Sequence, residues 1–200
     1  MSGGPDHRLE RLTFFSDAVI AIAITLLIIE IHAPHLHPGQ DGWAALAALG
    51  PSFFGFALSF AVIGRFWVGH HSALAAMNHY DPRLLLPNFG FLMLVAFMPF
   101  STAFLSANLG DAVPAIFYNV TLTVLAIFSS RVVFLATAQT LAVEPDNKAL
   151  LQLRARSLAV IVAALLSVGL AFIIPAISQL GLLTMLLWAR LFSRQRKVAA

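Results

Sequence analysis

The chain has 200 residues, of which 60% are hydrophobic and only 10% charged, and its mean hydropathy is +0.87. That composition excludes an ordinary water-soluble domain and indicates an all-α integral membrane protein, with room for about six spans at roughly 20 residues each plus a turn. The absence of cysteine removes disulfides, thiolate metal sites and thiol nucleophiles, and the net charge of +3 matters less than where the charges sit.

Six apolar windows follow one another, at residues 12–31, 43–68, 84–107, 113–136, 158–174 and 177–191, within a single transmembrane domain over residues 1–200. The first has full membrane length and no small-residue cleavage site after it, so it reads as a retained helix. The last two are short and separated by Pro175; one long broken helix there would give five spans. Charge placement arbitrates. Every lysine and arginine falls before the first span, between the second and third, between the fourth and fifth, after the sixth, or at the adjoining span ends. The loops "HAPHLHPGQDG" and "SANLGD" contain none. The positive-inside rule then favours six spans in the cell membrane with both termini cytoplasmic. The basic tail "RLFSRQRKVAA" suits anionic lipid heads, and no nucleic-acid partner is expected.

The first window, with its flanking arginine, reads "RLTFFSDAVIAIAITLLIIEI" from Arg11. At 100° per residue, Phe15, Ala18, Ile22, Thr25, Leu26 and Ile29 fall on a stripe about 100° wide, with Asp17 nearly opposite. Two readings of the stripe stand at this point: a lipid-facing or bundle-packing surface, and a pore wall that gates by dewetting. A pore wall requires several copies of the helix or a bundle of different helices. An acid at membrane depth costs about 2.5–3.5 kcal/mol and needs a partner inside the protein. The segment "RFWVGHHSALAAMNHYDPRLLLPN" offers Trp67, His70 and His71 at the inner end of the second helix, with Asp81, Arg83 and Asn88 opening the third. Glu30, about 80° from the stripe centre, suits either an acidic outer mouth or a subunit contact.

These residues carry a resemblance. Arg11, Phe15, Ser16 and Asp17 reproduce an Arg-x-x-x-Phe-Ser-Asp signature, followed by "FWVGHH", Asp81 and "LLLPNFGFLMLVAFMPFSTAF". Over about the first 110 residues the chain resembles prokaryotic members of the transmembrane protein 175 potassium channel family. The resemblance implies a potassium-permeable channel of six helices per subunit, assembled as a homotetramer with the first helix of each subunit lining the pore. It implies Ile22, Leu26 and Ile29 as pore positions and Thr25 as a hydroxyl that bears on selectivity. It implies Arg11, Phe15, Ser16, Asp17, Trp67, His70, His71 and Asp81 as a structural signature. No "TVGYG"-like run is present, so selectivity for K+ over other monovalent cations is expected to be modest, with Ile22 as the narrowest apolar ring. No cofactor is implied beyond permeant K+.

Competing readings have specific residues behind them. A proton- or ion-coupled transporter would use Asp17, Glu30 and His70 as a relay. An enzyme would need the histidines near Asp81 to converge, but adjacent histidines on a helix point about 100° apart and encode no zinc site. His32, His35 and His37 sit among Pro34 and Pro38, as solvated loop residues do, and no metal is expected there.

Overall fold

The computed structural model describes residues 6–182, and among these every regular element is helical. Helix α1 spans His7–Leu26, α2 Gly42–Ala48, α3 Gly50–Ala75, α4 Leu85–Ala107, α5 Ala112–Ala136, α6 Ala138–Val143 and α7 Lys148–Ile173. Short 3-10 turns occupy Pro82–Leu84, running directly into α4, and Pro175–Ile177 after α7. Among the described residues four helices are long and apolar enough to cross a membrane: α3, α4 with the 3-10 turn that runs into it, α5 and α7. At about 30 Å, α1 has the length too, but it carries Arg8, Glu10, Arg11 and Asp17.

Several boundaries differ from those expected of the sequence. The α-helix of the first window runs His7–Leu26 rather than 12–31, because Asp6 caps it early and its last bonds change type. Asp6 Oδ1 accepts from the backbone N–H of Arg8 at 3.1 Å and of Leu9 at 3.5 Å, satisfying donors that a helix start leaves free. Beyond Leu26 the bonds Ile29 N–H to Leu26 O and Ile31 N–H to Ile28 O, each 3.1 Å, are of the tighter i→i+3 kind. Glu30 therefore lies past the α-helix.

The second window, 43–68, is two helices. A break at Leu49 separates α2 from α3, with Pro51 in the first turn of α3, where a missing N–H costs nothing. Helix α3 then continues to Ala75, so His70 and His71 lie within it. The fifth window, 158–174, begins ten residues early because Asn147 caps α7, its Oδ1 accepting from Leu150 N–H at 3.3 Å. Arg154 is held inside the bundle, its Nε donating to Thr137 Oγ1 at 2.7 Å and its terminal N–H to Phe134 O at 2.9 Å. Most of the sixth window, 177–191, lies outside the described residues.

Two apolar clusters hold the helices together. The larger joins Ile20 and Ala23 of α1, and Leu27 just past its end, to Ile63 and Phe66 of α3, Phe91, Val95 and Met98 of α4, and Tyr118 and Leu122 of α5. The smaller gathers Leu12, Leu74, Met77, Leu84, Val132 and Val133. Gly90 of α4 lets the Phe128 ring of α5 lie directly on the backbone, where a Cβ would collide with it.

Candidate functional site: the first helix and its polar latch

Helix α1 packs against α3 and α4 along a face made by Leu12, Ser16, Ile20, Ala23 and, just past the helix end, Leu27, all buried. Their spacing of three and four residues is that of one helical face. The opposite stripe is bare in the single chain. Ile22 is 59%, Leu26 40% and Ile29 64% exposed, and Ala18 and Thr25 are exposed beside them. The Thr25 hydroxyl donates to Ile22 O at 2.8 Å, which fixes its proton on the backbone and leaves its oxygen lone pairs on the open side.

Polar groups fix the rotation of α1. Trp67 Nε1 of α3 donates to Asp17 Oδ1 at 2.8 Å, so the indole is the partner the carboxylate requires. His70 does not bond Asp17. Its Nε2 lies 2.7 Å from Asn88 Oδ1, and its ring stacks on Phe91 with centroids 4.9 Å apart. Asn88 Nδ2 in turn donates to Ser16 Oγ at 3.0 Å, and Ser16 Oγ donates to Leu12 O at 2.8 Å. This chain of donors fixes the histidine tautomer: Asn88 presents its carbonyl oxygen, so His70 carries its proton on Nε2. His70 Nδ1 is then buried without a hydrogen-bond partner among the described residues. Ser16, His70 and Asn88 are all almost fully buried.

The other residues of the expected signature are dispersed. Phe15 packs on Phe89 at 5.8 Å, and His71 is exposed and packs on the Trp67 ring at 5.5 Å. Arg11 is exposed and makes no hydrogen bond or ion pair among the described residues. Asp81 caps the 3-10 turn before α4 through Arg83 N–H at 2.9 Å and pairs with the Arg83 guanidinium at 2.7 Å. That local arginine, not Asp17 or His70, is its partner. Asp17, His70 and Glu30 are not linked to one another by hydrogen bonds, so a continuous relay through them is absent among the described residues. No group of three or more His, Asp or Glu able to hold a metal occurs there either.

A second latch lies at the start of α1. Asp6 Oδ2 accepts from Tyr80 N–H at 2.6 Å, tying the first helix to the connection between α3 and α4. This bond, helped by the Arg8 and Leu9 N–H groups, outweighs desolvation and lowers the Asp6 carboxyl below its ordinary value.

Asn88 is the member of the latch that the residue pattern understates. The signal available was a lone amide in the apolar run "LLLPNFGF", since such a group must be satisfied within the protein. A further buried polar set joins Tyr118 OH to Ser59 Oγ at 3.0 Å and Ser59 Oγ to Thr102 Oγ1 at 2.7 Å.

Residues 11–99, from the signature arginine through most of α4, match the family model described as the endosomal/lysosomal potassium channel TMEM175. The resemblance to the TMEM175 family is borne out. A potassium channel of Streptomyces collinus is 42% identical over 101 residues, 50% of this chain and 49% of that protein. A potassium channel of Chamaesiphon minutus is 43% identical over 101 residues, 50% of each. The match thus spans about half the length of these curated relatives. The crystal structure of a lysosomal potassium-selective channel TMEM175 homolog from Chamaesiphon minutus aligns with a TM-score of 0.76 at 29% identity, over 93% of this chain and 98% of that one. The TMEM175 family is one of ion channels, not enzymes. The matched residues contain the stripe, all of α1 but its first four residues, and the latch of Ser16, Asp17, Trp67, His70 and Asn88.

Proposed function

We propose that the chain is a subunit of a potassium-permeable cation channel, a single transmembrane domain over residues 1–200 that assembles as a homotetramer with both termini cytoplasmic. Helix α1 of each subunit lines the pore. Ile22 makes the narrowest apolar ring, Leu26 and Ile29 extend it, Thr25 contributes hydroxyl oxygens, and Glu30 stands at the outer mouth. K+ passes down its gradient with modest preference over other monovalent cations and without a cofactor.

One observation carries this reading. Helix α1 is fixed on one side by packing and hydrogen bonds, yet leaves the apolar Ile22, Leu26 and Ile29, with Thr25 among them, uncovered on the other. Fourfold symmetry would converge four such stripes on an axis, where apolar rings control ion passage by dewetting. Reversal potentials in mixed K+ and Na+ after reconstitution of the purified chain test the proposal. A shift toward the K+ equilibrium potential supports it, whereas flux that saturates and couples stoichiometrically to protons assigns a transporter instead.

A further inference from the structure

Arg65 of α3 and Arg156 of α7 line one narrow cleft among α3, α5 and α7. At 1.5 Å per residue, Arg65 lies about 15 Å from the Ala75 end of α3 and Arg156 about 12 Å from the Lys148 start of α7. Each therefore sits toward one end of its helix, Arg156 on the exposed side, and a guanidinium near membrane depth calls for a partner of opposite charge. Neither forms an ion pair or hydrogen bond among the described residues, where the ion pairs are His7–Glu10 and Arg83–Asp81. The chain cannot remedy this with its own acids. All nine of its Asp and Glu residues lie within residues 6–182, none pairs with either arginine, and residues 183–200 contain no Asp or Glu.

A third donor faces the same cleft. Ser129 of α5 lines it while only 7% exposed, and its hydroxyl makes no hydrogen bond among the described residues. The remaining wall is largely apolar, including Val62, Leu153 and Val160. The enclosed volume is only about 40 Å³, too small to engulf a headgroup. A phosphate therefore belongs at the rim between the two guanidiniums, with its acyl chain laid along the apolar wall.

We propose that this cleft binds an anionic phospholipid, with Arg65, Arg156 and Ser129 donating to its phosphate. Planar guanidiniums match phosphate oxygens in geometry as well as charge, and basic pockets between spanning helices are suited to such headgroups. No residue of α1 lines the cleft, and the proposal is independent of which helix lines a pore.

Native mass spectrometry of the purified chain, after exchange into equimolar phosphatidylglycerol and phosphatidylcholine, tests it. The chain retains phosphatidylglycerol with about 30-fold preference, the factor expected of two basic side chains at an anionic group. Arg156→Gln, at an exposed position, reduces this about fivefold. Arg65→Gln with Arg156→Gln abolishes it, while Arg65→Lys with Arg156→Lys retains a preference and Arg131→Gln, outside the cleft, leaves it intact. Equal retention of both lipids by the unaltered chain overturns the proposal. So does a preference unchanged in Arg156→Gln, or displacement of the lipid by millimolar inorganic phosphate, which assigns a free-anion site.

Discussion

The indole of Trp67 donates to the carboxylate of Asp17 across 2.8 Å, joining the third helix to the first. It resolves the presence of an acid in an apolar span: the carboxylate is a fastening between helices. Trp67→Phe keeps most of the apolar surface and deletes the donor. The expected cost is about 1–3 kcal/mol, read as a lower thermal midpoint of the detergent-solubilised protein. An unchanged midpoint would remove this bond from the account of α1.

Asn88 bonds both His70 and Ser16; its truncation strands the buried His70 Nε2–H, while Ser16 keeps its bond to Leu12 O. Asn88→Ala is expected to destabilise by about 1–3 kcal/mol, from the buried His70 donor left unsatisfied. In a double-mutant cycle with Ser16→Ala, coupling of about 0.5–2 kcal/mol identifies a shared network, and simple additivity counts against it.

Asp6 supplies a pH dependence with a definite sign. Its carboxyl is lowered chiefly by the Tyr80 N–H, with the Arg8 and Leu9 N–H groups and the charge of His79 assisting. A group lowered in the folded state stabilises fully above its unfolded value, about pH 4 for aspartate. That stabilisation is lost as pH falls through the lower folded value. Melting curves between about pH 2 and 5 should therefore show a steeper acid loss for the unaltered chain than for Asp6→Asn. Parallel curves would mean that the latch to Tyr80 contributes nothing.

Ile22→Asn bears on the proposed function. A polar amide in place of the exposed isoleucine wets an apolar constriction, so single-channel current should rise severalfold and the K+ preference should fall. Planar-bilayer recordings with unaltered conductance and selectivity would place the constriction elsewhere.

Gly90→Ala tests helix spacing. The added methyl meets the Phe128 ring, and overpacking of this kind costs about 1–3 kcal/mol. The thermal midpoint should fall accordingly, and Phe128→Leu should recover part of the loss.

Much of the bundle is legible in hydropathy because the core faces are continuous apolar surfaces. Helix ends are less so. Charged residues close an apolar window while the helix continues, as Arg154 shows by bonding Thr137 and Phe134 inside the bundle. Proline has the converse effect at Pro51, which starts α3 within what reads as one span. Pairing is harder still. The residue types nominate Trp67 and His70 equally for Asp17, and only the rotation of α3 against α1 and α4 gives the indole to Asp17 and the imidazole to Asn88. The stripe of α1 is legible as a stripe; its exposure in the single chain depends on which face the latch turns inward.

The change of bonding after Leu26 alters the alignment of that stripe. Three residues of α-helix turn through about 300°, which would carry Ile29 some 60° around from Leu26. Three residues of 3-10 geometry complete about one full turn, so side chains at that spacing eclipse. The bond from Ile29 N–H to Leu26 O moves the pair from the α-helical offset toward that eclipsed arrangement. In the proposed tetramer that shift would bring the Leu26 and Ile29 tiers nearer to register, so water would be expelled along a short column beyond Ile22 and not at a single waist.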